Sequence, residues 1–396
     1  MKNKVELLAP AGDLERLKIA LKYGADAVYV GGPVLNLRAN AINFTFEELE
    51  NGINFAHSLG KKVYVTVNII LHNQELNEVD KYLKKLSEIG VDAIIVSDPC
   101  IITRAKKYNI DIHLSTQQST LNYEAVSFWK KHGVSRVVLA RECSREDIKL
   151  IKEKVDIEIE TFIHGAMCAG YSGRCIMSNV LTNRDANRGG CSQICRWDFN
   201  LYDENMKEIK GDMPFTFCSK DLSMLKVIPD MIDLGISSFK IEGRMRSVYY
   251  IATVVSIYRK IIDNYYQNID DNEYNNYEAI LRNCANRDST IQFYNGIYDS
   301  SCSYYNGRLE VSNQDFLGIV IDYDKDSCLA TIEQRNYFKK GDLVEIFGPN
   351  HNYVIEINEI YDEDDNLIDV VRHPRQVVKI KVDCQLDTDD MLRIKK

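Results

Sequence analysis

No run of about eighteen apolar residues occurs in this 396-residue chain, so no membrane-spanning helix is expected. Positive charge is also scarce: 49 Lys and Arg face 58 Asp and Glu, a net charge of −9. That argues against a generally basic protein that coats nucleic acid. A local basic site for RNA stays open, because net charge says little about one face. No Gly-x-Gly-x-x-Gly follows a strand-like run, which speaks against dinucleotide binding. His-Glu-x-x-His and Gly-x-Ser-x-Gly are both missing, so the zinc-protease and serine-hydrolase templates find no match. No secretory signal is expected, since Met1-Lys-Asn-Lys runs straight into the short apolar stretch Val5–Pro10. The expected compartment is the cytoplasm.

Cysteine is abundant instead. Eleven are present, an odd number that cannot pair completely within the chain. A reducing compartment disfavours a disulfide scaffold and turns attention to metal binding or catalysis.

Eight short apolar runs punctuate the first 245 residues: Val5–Ala9, Asp26–Val30, Lys62–Val67, Asp92–Val96, Asp111–Leu114, Arg136–Leu139, Ile157–Ile163 and Ser238–Ile241. Stretches of helical period separate them, such as Leu14–Tyr23, Leu76–Ile89 and Val248–Ile262. Nearly continuous Val/Ile/Leu character fits parallel strands covered on both faces. Eight repeats predict a closed (β/α)8 TIM-like barrel over residues 1–304, in an α/β fold. The segment 165–214, rich in Gly, Asn, Arg and Cys, interrupts the rhythm as a long insertion after the seventh strand. From 305 to 396 the pattern changes to Phe316–Asp322, Cys328–Gln334, Leu343–Phe347 and Val377–Val382, which predicts a small C-terminal β-barrel domain.

Polar residues gather just after the predicted strands: Asn68, Asp98, Ser115, Gln117, Arg141, Glu142, His164, Lys220, Asp221, Glu242 and Arg244. In a barrel of this kind the C-terminal strand ends carry the active site. Asp98 and Ser115 read equally well as helix N-caps. Glu160 and His164 stand four apart on the seventh predicted strand, so simple alternation gives both the same face. Such a pair at the mouth could move protons or orient a ligand. The plain alternative is a buried structural pair.

The strongest motif is Cys168-x6-Cys175-x15-Cys191-x3-Cys195. Four thiolates suit a [4Fe–4S] cluster or tetrahedral zinc. Structural zinc usually draws on pairs two to four residues apart, and only Cys191 and Cys195 are that close. The wide first pair tilts the reading toward a cluster without deciding against zinc. Arg174, Arg184, Arg188 and Arg196 surround the motif. They could offset the negative charge of a thiolate-held cluster, or grip a carboxylate or phosphate.

These residues bring a family into view. Glu160-Thr-Phe-Ile-His164-Gly-Ala-Met-Cys168, Gly173-Arg-Cys175 and Arg188-Gly-Gly-Cys191-Ser-Gln-Ile-Cys195-Arg-Trp197 resemble the signature of peptidase family U32. Leu8–Gly12, Gly24–Tyr29, His113–Gln117, Arg136–Glu142, Ser219–Leu222 and Lys240–Met245 resemble further blocks of the same family. The resemblance spans about residues 5–295, and the C-terminal β domain also suits it. It implies that the four cysteines hold an iron–sulfur cluster. The family's name carries a collagenase-like assignment. Its better-defined branches are similar to proteins that hydroxylate a tRNA wobble uridine with the help of prephenate, or a cytidine of 23S ribosomal RNA. By that resemblance the substrate is tRNA and prephenate is a co-substrate, with a protein partner or paralogue a further candidate. Arg141, Arg196, Arg244 and Gln117 are then the expected substrate-binding residues. Glu160, His164, Lys220 and Glu242 are the expected catalytic ones.

Overall fold

Residues that are apolar at nearly every position leave a strand no wet face, and such strands find stability only in a covered parallel sheet. The computed structural model describes residues 5–35, 43–171, 173–265, 269–285, 287–296, 298–304 and 315–395. Eight parallel strands close on themselves: β1 (Glu6–Pro10), β2 (Ala27–Gly31), β3 (Lys62–Val67), β4 (Ala93–Val96), β5 (Asp111–Leu114), β6 (Arg136–Val138), β7 (Glu158–Gly165) and β8 (Ser238–Ile241). Strand β8 makes the closure, pairing Ser238 with Glu6 of β1 on one side and with Glu160 of β7 on the other. The (β/α)8 barrel predicted from the eight apolar runs is therefore present.

Local chemistry starts the crossover helices where they are needed. Asp13 accepts from the Arg16 amide, Asn122 from the Ala125 amide, and Thr45/Glu48 and Ser144/Asp147 form capping boxes. Asp98 is a cap as well: its carboxylate accepts from the Cys100 amide at 2.8 Å and from the Leu71 amide at 3.0 Å. Ser115 is not. Its hydroxyl donates to the side-chain carbonyl of Gln117. The helix Val248–Asp263 is buried on most of its surface and packs against β1 and the first helix.

The lumen at the N-terminal end of the barrel is polar rather than oily. Arg136 reaches Glu6, Glu158 and Glu160. Tyr64 donates to Glu6 at 2.6 Å, and Ser238 donates to the same carboxylate at 2.8 Å. Glu158 lies at the exposed end of this network, but the loss of Arg136, Glu6 or Glu160 would leave a partner charged inside the barrel. Above it lie Leu8, Ala27, Tyr29, Ala93 and Ile95.

The long insertion leaves β7 at Gly165 and returns at Asp221–Ser223. That short strand runs antiparallel to the end of β7, with Leu222 opposite Gly165 and Ser223 opposite His164. The loop is thus pinned at both ends to one strand. Gly165 itself needs a positive φ of +110°, and a Cβ there would stand 2.5 Å from the Glu242 carbonyl oxygen.

The chain divides into two compact units, 1–278 with 287–310, and 279–286 with 311–396. The expected boundary at 304/305 opens onto 305–314, which lies outside the described residues. The second unit carries an eight-stranded antiparallel sheet around Leu317, Val320, Ile332, Val344, Ile346, Val378 and Leu392. The sheet curls, yet its edge strands Asn352–Glu356 and Leu367–Ile368 form no ladder with each other among the described residues. Met391–Ile394, which the sequence pattern does not announce, sits centrally between Leu343–Phe347 and Phe316–Asp324. Among the described residues no helix is long and apolar enough to cross a membrane.

Candidate functional site

Strand ends and insertion meet around a cavity of about 390 Å³ at the C-terminal face of the barrel. Its border includes Gln117, Arg141, Arg196, Glu242 and Arg244, together with Cys168, Cys175, Cys191 and Cys195. Nine of the twelve residues expected to form the site are thus brought together. Glu160, His164 and Lys220 are not on its border. Among the described residues its border has four cationic side chains, Arg141, Arg196, Lys240 and Arg244, and a single carboxylate, Glu242. Its chemistry suits a small anion.

The charged and amide side chains at and beside the cavity are held by specific contacts. Arg141 follows β6, and its guanidinium lies 3.8 Å from the centre of the Phe162 ring. Arg244 donates to Asn43 at 2.8 Å and to Thr66 at 3.2 Å. The side-chain carbonyl of Gln117 accepts from Asn68 and Ser97, each at 3.2 Å, and from Ser115. Glu242 accepts from the Tyr29 hydroxyl at 3.3 Å, and that hydroxyl also donates to the Ile241 carbonyl at 2.9 Å. Arg196 donates to Gln193 at 2.7 Å; its own burial, then Arg287 nearby, makes its proton easier to lose. Asp221, held by Arg287 at 2.9 Å, has its carboxyl pushed up because burial outweighs its arginine neighbours.

Three expected residues take other places. Alternation predicts one face for Glu160 and His164, but the ladder skips a residue between them. Lys240 pairs with Phe162 and the next residue, Ile241, with His164. The extra residue in β7 inverts the phase. Glu160 stays in the lumen, fully buried against Lys240 and Arg136. His164 turns out to the helix layer, 3.2 Å from the Tyr258 hydroxyl. Burial first, then Arg246, pushes its imidazole down to about 3, so it is neutral at ordinary pH. Lys220 stands over the Tyr304 ring, its ammonium 5.6 Å from the centroid.

The insertion that carries the cysteines is internally bonded. Arg188 donates to the Ile70 carbonyl at 2.6 Å and pairs with Glu75, tying the loop to the β3 crossover. The Cys195 carbonyl accepts from Thr216, and the Cys175 carbonyl from Asn187. Cys168 and Cys191 are exposed, and Cys175 and Cys195 are half-buried. Burial raises the Cys195 thiol, and the charges of Cys168 and Cys191 add to that rise. Among the described residues no three His, Cys, Asp or Glu stand together as a finished ligand cage. The donor set nonetheless suits a thiophilic centre in its chemistry: four soft sulfurs border one cavity, with no histidine among the described residues that line it.

Asn68, one of the polar residues expected past a strand end, also borders the cavity, and so do Lys240, Tyr29 and Phe162, which the sequence did not single out. Lys240 had a signal: a lysine in the middle of a strand otherwise buried on both faces.

Peptidase family U32 matches residues 12–301, and the peptidase family U32 C-terminal domain matches residues 312–393. The chain belongs to peptidase family U32. This U32 chain is 50% identical to "tRNA hydroxylation protein P1" of Bacillus subtilis (strain 168) over 99% of its length and 95% of that protein's. It is 38% identical to the "23S rRNA 5-hydroxycytidine C2501 synthase" of Escherichia coli (strain K12), covering 66% of this chain and 40% of that one. To a "Collagenase" of Porphyromonas gingivalis (strain ATCC BAA-308 / W83) it is 31% identical, over 89% of each chain.

Proposed function

We propose that this U32 chain is a cytoplasmic RNA-modifying enzyme that takes part in the 5-hydroxylation of a tRNA wobble uridine, with prephenate as co-substrate. The observation that carries this reading is the cavity where four cationic side chains and four thiols meet. The similarity to a tRNA hydroxylation protein along nearly the whole chain supports the choice of substrate.

Cys168, Cys175, Cys191 and Cys195 would hold a [4Fe–4S] cluster, with zinc the second choice. When bound, the cluster supplies one-electron chemistry beside the cavity. Every other role falls to side chains. Arg141 and Arg244 bind and orient the acid through charge-assisted hydrogen bonds. Gln117 has its carbonyl engaged by three hydroxyl and amide donors, which fixes how its amide faces the ligand. Glu242, the one lining carboxylate among the described residues, is placed to hold a proton, with the Tyr29 hydroxyl 3.3 Å away.

A peptidase reading finds less support. It needs a nucleophile with a base, and His164 is sealed against Tyr258 away from the cavity. Nucleoside mass spectrometry of RNA from a deletion strain is the test. Loss of 5-hydroxyuridine from tRNA, restored by this gene, is the expected result. Loss of a hydroxycytidine from ribosomal RNA instead, or no change in any nucleoside, would overturn it.

A further inference from the structure

A lysine sealed inside a protein is stable only if its charge is answered. Lys240 is 4% exposed, and its ammonium lies 2.6 Å from Glu160. The same ammonium stands 4.6 Å from the centre of the Tyr29 ring and 5.5 Å from that of Phe162, at the border of the cavity. Among the described residues Glu160 is the one hydrogen-bond acceptor it meets. An ammonium has three N–H bonds. Two remain for the Tyr29 face and for whatever fills the cavity.

Glu160 is itself divided. Its second oxygen lies 3.2 Å from Arg136, which also holds Glu6 and Glu158. The charge of Lys240 is therefore only partly answered by protein. A second cation shares its neighbourhood, since Arg141 stacks on the same Phe162 ring. Two cations flanking one aromatic ring match an acid with two separated carboxylates and an apolar body.

We propose that Lys240 is the deep anion contact of the cavity, taking one carboxylate of the small acid, and that Glu160 is its positioning residue. This rests on the reading of the cavity as the site of a small dicarboxylate. It assigns a role to a residue pair that neither the strand-end rule nor the cysteine motif selects.

Calorimetric titration of the full chain, isolated with whatever group it carries, decides the matter with two probes, prephenate and inorganic sulfate. The variants are Lys240→Met, Lys240→Arg, Glu160→Gln and the double Lys240→Met/Glu160→Gln, which removes the buried pair together and guards against a fold lost to one unpaired charge. Losing a charge-assisted contact should weaken prephenate binding about 10-fold or more in Lys240→Met, with partial rescue in Lys240→Arg. Glu160→Gln should weaken binding in the wild-type background and have no further effect in Lys240→Met, because it acts through the lysine. An equal effect in both backgrounds would remove the positioning role. Sulfate binding without prephenate binding, lost in Lys240→Met, would discard the dicarboxylate reading and keep Lys240. Wild-type affinity in Lys240→Met for each probe that the wild type binds, or no binding of either probe by the wild type, would overturn the proposal.

Discussion

Glu160 and His164 share a strand and a four-residue spacing, yet they face opposite sides of the barrel wall. Glu160 meets Lys240 in the lumen at 2.6 Å, and His164 meets Tyr258 in the helix layer at 3.2 Å. The skipped residue between Phe162 and His164 separates them.

That separation makes His164 a stability group rather than a proton carrier. Its folded imidazole stays neutral down to about 3, while the unfolded one binds a proton near 6.5. The unfolded state therefore gains protons first as pH falls. Stability contributed by this group is full above 6.5 and is lost between 6.5 and 3, at about 1.4 kcal/mol per pH unit. His164→Gln should flatten that slope in urea melts recorded from pH 7 to pH 4. An unchanged slope would show that the ring is protonated inside the fold.

The four insertion cysteines should behave as a set. The proposed cluster predicts a brown purified protein, and replacing any one of Cys168, Cys175, Cys191 or Cys195 by Ala is expected to abolish that colour together with tRNA 5-hydroxyuridine in the cell. Cys143→Ala is the control. Its thiol is buried, pushed upward by that burial, and its sulfur donates to the Thr120 carbonyl away from the cavity. Colour and modified tRNA in a Cys175→Ala strain would sink the ligand assignment.

Arg136 binds three carboxylates, two of them, on Glu6 and Glu160, well inside the barrel. Arg136→Leu takes the cation from Glu6 and leaves Glu160 with Lys240 alone. The expected loss is about 3–5 kcal/mol of unfolding free energy, read by chemical denaturation. A loss below about 1 kcal/mol, the scale of an exposed ion pair, would mean that water reaches the network.

Gly31 closes β2 beneath Arg244. A Cβ there would collide with the Arg244 guanidinium and stand 2.6 Å from the Asn43 side-chain oxygen. Gly31→Ala should weaken prephenate binding about as strongly as Arg244→Lys, while iron content stays at the wild-type level. Equal binding in Gly31→Ala and the wild type would remove Arg244 from the ligand contacts.

The barrel was legible in the sequence because parallel strands are apolar on both faces, and eight such runs in order favour a closed barrel over an open doubly wound sheet. The cavity border was largely legible too, since a polar residue just past a strand end has few structural reasons to be there. Gln117, Arg141, Glu242 and Arg244 follow from that rule, and Asp98 shows its limit by serving as a cap. His164 escaped because period-two alternation carries no sign of a bulge. Lys240 escaped because a lone lysine in an apolar strand looks like an outward tip. Its inward face is set by register with Glu160 and Phe162, which are distant in sequence. Met391–Ile394 was hidden by its brevity.

The return strand Asp221–Ser223 has one more implication. Because it pairs with the last residues of β7, the two ends of the insertion are already neighbours. The entropy of closing that loop is met by strand pairing, not by the cysteines. Residues 166–220 are therefore a closed excursion whose ends stay together whatever the cysteines hold, and the Arg188 contacts with Ile70 and Glu75 then fasten its middle to the barrel.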